Sequence, residues 1–313
     1  MTTTGDQYAG VSVSVAIPVY NGEHYVGEAI ASVQGQTRAP DECLVLDNCS
    51  TDRTVEIAAA ALGPAAVRTS EVNLGAVANF NRAVDEATGT WFAWLGADDR
   101  LAPRFVERCL EAVRAVPDAV ACLPAIQFID PNGELLGVQR DPDLAAADAR
   151  TRLRSFLNRP RWTEVYCLYR RDALLASPGF QPEYGADVLL TWWFLLRSPL
   201  VVLDEPLVEY RTYPVKTADA TAESLNPAAT RRRWLMTHLW LSLWRQAAAD
   251  GVERRVTRTA RRELVRALWH RQWLKHIAWD FYLVAGDHVR IPRRRLAKVR
   301  RSPQGRDEGK STT

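Results

Sequence analysis

Ala97-Asp98-Asp99 follows the apolar run Trp91-Phe-Ala-Trp-Leu95 with only Gly96 between them. Such a run reads as a buried strand, and a strand hands its last side chains to the carboxyl edge of a sheet, where open α/β folds hold ligands. Two adjacent carboxylates there repel each other unless a cation joins them. Hard divalent ions such as Mg²⁺ or Mn²⁺ take oxygen ligands, commonly one or two carboxylates plus the oxygens of a diphosphate. The competing reading is a solvated turn with a helix cap, since Asp99-Arg100-Leu101-Ala102-Pro103 also has the form of a helix start.

The elements that would position this pair alternate. Val11–Ile17 has period two and ends at the loop Pro18-Val-Tyr-Asn-Gly22, and 23–36 carries apolar residues on one helical face. Strands at 42–47, 67–70 and 91–96 alternate with helices opening at Ser50-Thr-Asp-Arg-Thr54 and spanning 74–87. Strand, helix, strand in this rhythm predicts parallel βαβ units, so every loop at a strand's carboxyl end faces the same side. Pro18 to Asn21, Asp47-Asn48, Asn73-Leu-Gly75 and Asp98-Asp99 would then meet in one crevice; taken singly, Asn21, Asn48, Asn73 and Asp47 also suit ordinary turns. Further on we expect a helix from Pro103 to Ala115, a strand at 118–123, a hairpin turning at Asn132-Gly133, a helix at 151–157 and an extended stretch at 164–169. Asp187 stands at the start of an apolar helix, 188–196, and 201–203 and 207–210 read as edge strands.

Composition narrows the classes. With 313 residues and 47% apolar content the chain can bury a large core. No apolar stretch is long enough to span a bilayer, and Met1 to Asp6 lacks the pattern of a signal peptide, which points to the cytoplasm. Five scattered cysteines with no CxxC pair suit free thiols in a reducing compartment and exclude a zinc cluster. The net charge of +3 hides an asymmetry: residues 1–227 hold 19 Lys+Arg against 30 Asp+Glu (19 − 30 = −11), and 228–305 hold 19 against 5 (19 − 5 = +14). Six of the eleven tryptophans also lie in that second segment.

No GxGxxG follows the first strand and no P-loop lysine signature is present. What the chain resembles, over about residues 11–215, is glycosyltransferase family 2, through Ala16-Ile-Pro-Val-Tyr-Asn21, Val45-Leu-Asp-Asn-Cys-Ser-Thr-Asp-Arg-Thr54, Asn73-Leu-Gly75 with Asn81 and Ala87-Thr-Gly89, Trp94-Leu-Gly-Ala-Asp-Asp-Arg100, and Tyr184-Gly-Ala-Asp187. The resemblance implies a GT-A fold: an α/β, mostly parallel, Rossmann-like sheet flanked by helices, here with a C-terminal helical extension. It implies an inverting transferase that moves a sugar from a nucleoside-diphosphate sugar to an acceptor hydroxyl with Mg²⁺ or Mn²⁺. Donor binding would fall to Pro18, Tyr20, Asn21, Asp47, Asn73, Gly75, Asn81, Ala97 and Asp98, with Arg211 and Lys216 as partners for diphosphate charge. Asp98 matches the final acid of the family's DxD element and, with Asp99, would carry the metal; Asp187 matches the general base. Gly96 stands where relatives have the first acid, and Tyr213 where many have a histidine.

The expected organisation is a flexible 1–10, a transferase domain at 11–227 (nucleotide-binding half 11–100, acceptor half 101–227), a basic Trp-rich helical extension at 228–300 and a flexible 301–313. Acceptors that fit are a saccharide, a lipid-linked sugar or a small molecule, in bacterial surface polysaccharide, glycolipid or natural-product synthesis. The extension would either pack on the acidic domain, form a homodimer contact, or lie peripherally on the inner face of the membrane. No nucleic-acid module surrounds its arginines, so nucleic acid is not an expected partner. A non-catalytic nucleotide-sugar binding or scaffold protein is the competing class.

Overall fold

In the computed structural model of the chain, the described residues are 10–159, 162–213 and 235–269. The expected flexible ends, Lys216 and much of the basic extension lie outside them. Nine strands form one sheet in the order β3-β2-β1-β4-β8-β6-β9-β5, with β7 paired to β6. The half that gathers the loops is wholly parallel: β1 (Val13–Val19) lies between β2 (Glu42–Asp47) and β4 (Trp91–Trp94), and β3 (Val67–Thr69) flanks β2. Antiparallel pairs begin only where β8 (Leu168–Arg170) meets β4.

β1 runs two residues past its expected end, through Pro18 and Val19. Ala16 is the last residue of β1 to pair with β4, so the N–H that Pro18 lacks falls on a side where no partner strand remains. Asp99 is no helix cap either, because Arg100–Leu101 forms a short strand, β5, antiparallel to β9, before α4 (Phe105–Arg114) begins. The two edge strands expected near 201–210 are one strand, β9 (Val201–Arg211), held between β6 (Ala121–Ile129) and β5; register shifts between Pro124 and Ile126 absorb the break at Asp204-Glu-Pro206. The hairpin at Asn132-Gly133 forms between β6 and β7 (Leu135–Gln139), with Gly133 at φ +90.

Helices cover both faces. α1 (Val26–Gln34), α2 (Thr54–Leu62) and α4 bury one core with Val13, Val15, Ile17 and Val45. α3 (Ala76–Glu86), α5 (Ala149–Asn158), α6 (Arg171–Leu175) and α7 (Ala186–Arg197) bury the other around Trp94, Tyr169 and Trp192. Two helices of the C-terminal segment, α8 (Leu235–Gln246) and α9 (Arg254–Trp269), join that second core through Leu239, Leu243, Ala260, Leu264 and Ala267. Trp192 Nε1 donates to the Leu243 carbonyl at 3.1 Å across this junction. The described part of the extension therefore packs on the sheet domain, the first of the arrangements its composition allowed. Cys109, Cys122 and Cys167 are buried and all five cysteines are free thiols. No helix among the described residues is long and apolar enough to cross a membrane.

Candidate active site

The carboxyl ends of β1 and β4 open into a cleft of about 770 Å³ lined by Pro18, Tyr20, Asn21, Ala97, Asp98 and Arg211, all singled out in the sequence, together with Tyr25, Tyr166, Tyr210 and Tyr213. Asn21 sits at φ +51, a conformation asparagine tolerates better than most residues. Its amide donates to Ser50 Oγ at 2.9 Å and its Oδ1 accepts from the Thr51 amide at 2.8 Å, so it ties the loop after β1 to the loop after β2.

Asp47, Asn73, Gly75 and Asn81 lie outside the lining of this cleft. Asp47 is fully buried at the end of β2 and accepts from the Ser50 amide at 3.3 Å. Asn48 Nδ2 donates to Asn73 Oδ1 at 2.9 Å, and that oxygen also accepts from the Gly75 amide at 2.8 Å; Gly75 then starts α3 at φ +82, where a side chain is strained. Asn81 Oδ1 accepts from the Phe180 amide at 2.8 Å, pinning α3 to the loop that leads to Asp187. These four residues hold loops together around the cleft.

The acidic pair is divided by burial. Asp98 is half-buried on the cleft wall, where the Tyr213 phenol is hydrogen-bonded both to it and to Tyr25. Asp99, 1% exposed, turns inward: Oδ1 accepts from the Arg211 amide at 2.8 Å and Oδ2 from the Tyr166 hydroxyl. Burial, then the adjacent Asp98 charge, raises the Asp99 carboxyl well above the usual range, against the pull of those two donors. Gly96 belongs to the same arrangement. A Cβ there would overlap Asp99 Oδ2 and lie 2.9 Å from the Tyr166 hydroxyl, so the inward Asp99 occupies the space that a side chain at 96 needs.

Arg211, 3% exposed, is spent on structure. Its Nε donates to the Asp98 carbonyl at 2.8 Å, its two terminal nitrogens reach the Pro131 carbonyl at 2.7 Å and Glu28 at 2.9 Å, and its plane covers the Tyr25 ring at 4.4 Å. It clamps the acidic loop to the β6–β7 hairpin and to α1. The sequence reading placed it as a partner for phosphate charge; every nitrogen of its guanidinium already has a protein acceptor.

Asp187, also outside the lining of the cleft, lies in the first turn of α7, after Gly185 in the left-handed conformation (φ +80), and so does not cap the helix. One oxygen accepts from the Val188 amide at 2.9 Å. Part of its surface is accessible, yet protein surrounds it closely enough that burial raises its pKa to about 7, with the Val188 and Asp187 amides pulling the other way. Tyr210, on the cleft wall, has its own pKa pushed up to about 12, first by burial and then by the charges of Asp99, Asp98 and Asp187. One phenol thus lies within electrostatic range of all three acids. Tyr25 and Tyr166 carried no signal in the sequence: Tyr25 reads there as part of the apolar face of α1, and Tyr166 is 67 positions from the carboxylate it meets.

The donor chemistry suits a hard divalent ion. Asp98 offers carboxylate oxygen on an open wall, where it could hold a Mg²⁺ or Mn²⁺ ion whose remaining ligands would be diphosphate oxygens and water. Among the described residues no group of three His, Cys, Asp or Glu side chains converges.

Relatives share this framework. A glycosyltransferase of Nostoc is 25% identical over 236 residues, 68% of this chain and 70% of its own. A PGL/p-HBAD biosynthesis glycosyltransferase of Mycobacterium bovis is 37% identical over 91 residues, 28% of this chain and 36% of its own. A glycosyltransferase of Rickettsia typhi is 36% identical over 95 residues, 30% of each chain, so the match spans only about a third of the mycobacterial and rickettsial proteins. Among solved structures, S. aureus TarS 1–349 in complex with UDP-GlcNAc aligns at TM-score 0.64 and 19% identity over 83% of this chain and 73% of its own. Glucosyl-3-phosphoglycerate synthase of Mycobacterium tuberculosis, solved with Mn²⁺, UDP and glucosyl-3-phosphoglycerate, aligns at 0.52 and 20% over 75% and 81%. These likenesses are of fold, the GT-A arrangement expected from the motifs. The glycosyl transferase family 2 model matches residues 14–175, more than half of the chain, and with the cleft at the end of that matched sheet it establishes that the protein belongs to this family.

Proposed function

We propose that the protein transfers a sugar from a nucleoside-diphosphate sugar to an acceptor hydroxyl with inversion at the anomeric carbon, in the cleft lined by Asp98, with Asp187 taking the acceptor proton. The observation that carries this reading is the half-buried Asp98 on the wall of the cleft, beside Tyr210, whose phenol also feels the charge of Asp187 from outside the cleft lining. It is supported by the bound UDP-GlcNAc and UDP of two structures of like fold.

Inverting transfer is an in-line displacement. The acceptor oxygen attacks the face of the anomeric carbon opposite the departing nucleoside diphosphate, forming one C–O bond as the other breaks. Asp187 receives the acceptor proton; a carboxylate with a pKa near 7 is about half ionised at neutral pH and basic enough to take it, a contribution typically worth ~10² to 10⁴ in rate. The Val188 amide fixes one oxygen and so sets the direction in which the other meets the proton. A divalent ion, when bound, neutralises charge on the departing diphosphate, and Asp98, on the cleft wall, is the side chain that would hold it. Arg211, through the Asp98 carbonyl, keeps that side chain against the wall. Tyr20, half exposed, and Asn21 border the place for the nucleoside. The acceptor is a saccharide, a lipid-linked sugar or a small molecule.

The test is a panel of nucleotide sugars read by thermal shift with and without Mn²⁺, followed by donor turnover for those that bind. Mn²⁺-dependent stabilisation together with turnover is the expected result. Binding without turnover for every acceptor tried, and without slow donor hydrolysis, would favour a nucleotide-sugar binding protein instead.

A further inference from the structure

The helix α9 of the basic extension is held at a fixed rotation. Ala260, Leu264 and Ala267 of α9 face inward, and Glu263, 5% exposed, accepts from Arg150 at 3.2 Å, Arg154 at 2.9 Å and Arg266 at 3.1 Å. Arg150 and Arg154 come from α5, so the helix is locked to the domain by one carboxylate shared among three guanidinium groups. Arg261 lies over the Trp244 ring of α8 at 5.0 Å.

That rotation turns a single line outward: Arg255, Arg258 and Arg262, then Val265, 42% exposed, and Trp269, 81% exposed. The spacing of three and four residues puts them on one helix face. None of the three arginines has an acidic partner among the described residues. Residues 254–269 contain six arginines and one acid, and that acid is the buried Glu263. Among the described residues, the face is therefore uncompensated positive charge ending in an uncovered indole. A solvated helix face has no use for an exposed tryptophan at the tip of its basic stripe. A lipid headgroup layer does, since arginine meets phosphate and the indole settles at the boundary between headgroup and chain.

We propose that the outward line Arg255, Arg258, Arg262, Val265 and Trp269 of α9 docks the protein on an anionic lipid surface. Charge complementarity chooses the partner. The domain at 1–227 carries −11 and is repelled by such a surface, so the contact is confined to the extension and the molecule is oriented by it. Because α8 packs Leu239 against Gly185, two residues before Asp187, the docked helix is joined through one neighbour to the segment that carries the proposed base.

Full-length protein is sedimented with vesicles of phosphatidylcholine alone and of phosphatidylcholine with about 30% phosphatidylglycerol, at about 0.1 M and about 0.5 M salt. We expect binding to the anionic vesicles only, weakened at high salt. The triple substitution Arg255→Gln, Arg258→Gln, Arg262→Gln lowers the partition coefficient on the order of a hundredfold, and Trp269→Ser lowers it several-fold. Thermal midpoint and Mn²⁺-dependent nucleotide binding stay at the parent values, which keeps this result separate from the transferase reading. A comparison variant, Arg293→Gln, Arg294→Gln, Arg295→Gln, changes equal charge elsewhere in the extension. If it abolishes binding while the α9 variant binds fully, the proposal is wrong. Equal binding to neutral vesicles, a stronger arginine-dependent retention on duplex DNA, or self-association without vesicles that the α9 triple variant removes would each overturn it too.

Discussion

Asp98 and Asp99 share a peptide bond and almost nothing else. Sequence shows two carboxylates beyond a strand; it does not show which way each turns, because the partners that decide it, Tyr166 and Arg211, are 67 and 112 positions away from Asp99. The inward acid explains the missing one: with Asp99 folded back, no side chain fits at Gly96. Asp99→Ala strands the Tyr166 hydroxyl and the Arg211 amide, each a buried donor whose loss of a partner costs about 1–3 kcal/mol, so urea unfolding should show a loss of roughly 2–6 kcal/mol. An unchanged midpoint would mean that the pair is solvated. As the proposed base, Asp187 would set the pH profile. Its raised pKa means that the protonated, inactive form accumulates as pH falls through about 7, so the turnover rate should fall tenfold per pH unit below that value and level off above it. A rate that stays flat down to pH about 5 would remove Asp187 from the proton transfer.

The elements were legible where periodicity is strong and hidden where partners are remote. β2 is at the bounds its pattern predicts, and α1 to α4 are in their expected places, because alternation and helical stripes are local properties. β5 and the single long β9 were not readable: two residues make no pattern, and Asp204-Glu-Pro206 looks like the end of a strand until β6 is alongside to accept the bulge. The same limit hid the place of α8, whose Trp and Leu stripe suits a lipid face, a partner or a core equally well. Leu243 settles it, being fully buried with its carbonyl bonded to Trp192. Leu243→Ala should cost about 2–5 kcal/mol and lower the midpoint of one shared transition followed by both fluorescence and circular dichroism. Two separate transitions, with the midpoint of the sheet domain unmoved, would show that the extension folds apart from it.

Across the whole molecule the charge division and the fold division do not coincide. The acidic domain and the described helices of the basic extension, α8 and α9, meet in one hydrophobic core, with Glu263 as the acid that ties α9 to the arginines of α5. The cleft was legible as a place because four loops end on one side of a parallel sheet. Its membership was less so, since Asp47, Asn73, Gly75 and Asn81 turn their polar groups to loop-holding while Tyr25, Tyr166 and Tyr210 supply the walls. The proposed function rests on a division of labour between an acid on the open wall, Asp98, for charge and an enclosed acid, Asp187, for a proton. Calorimetric titration of UDP, GDP and dTDP in the presence and absence of Mn²⁺, run in parallel with donor turnover on the parent, Asp98→Asn and Asp187→Asn proteins, tests it most directly. The account predicts that Asp98→Asn loses the Mn²⁺-dependent part of nucleotide binding, while Asp187→Asn binds like the parent and loses transfer by ~10² or more; parent-like binding with full turnover in both variants would contradict it.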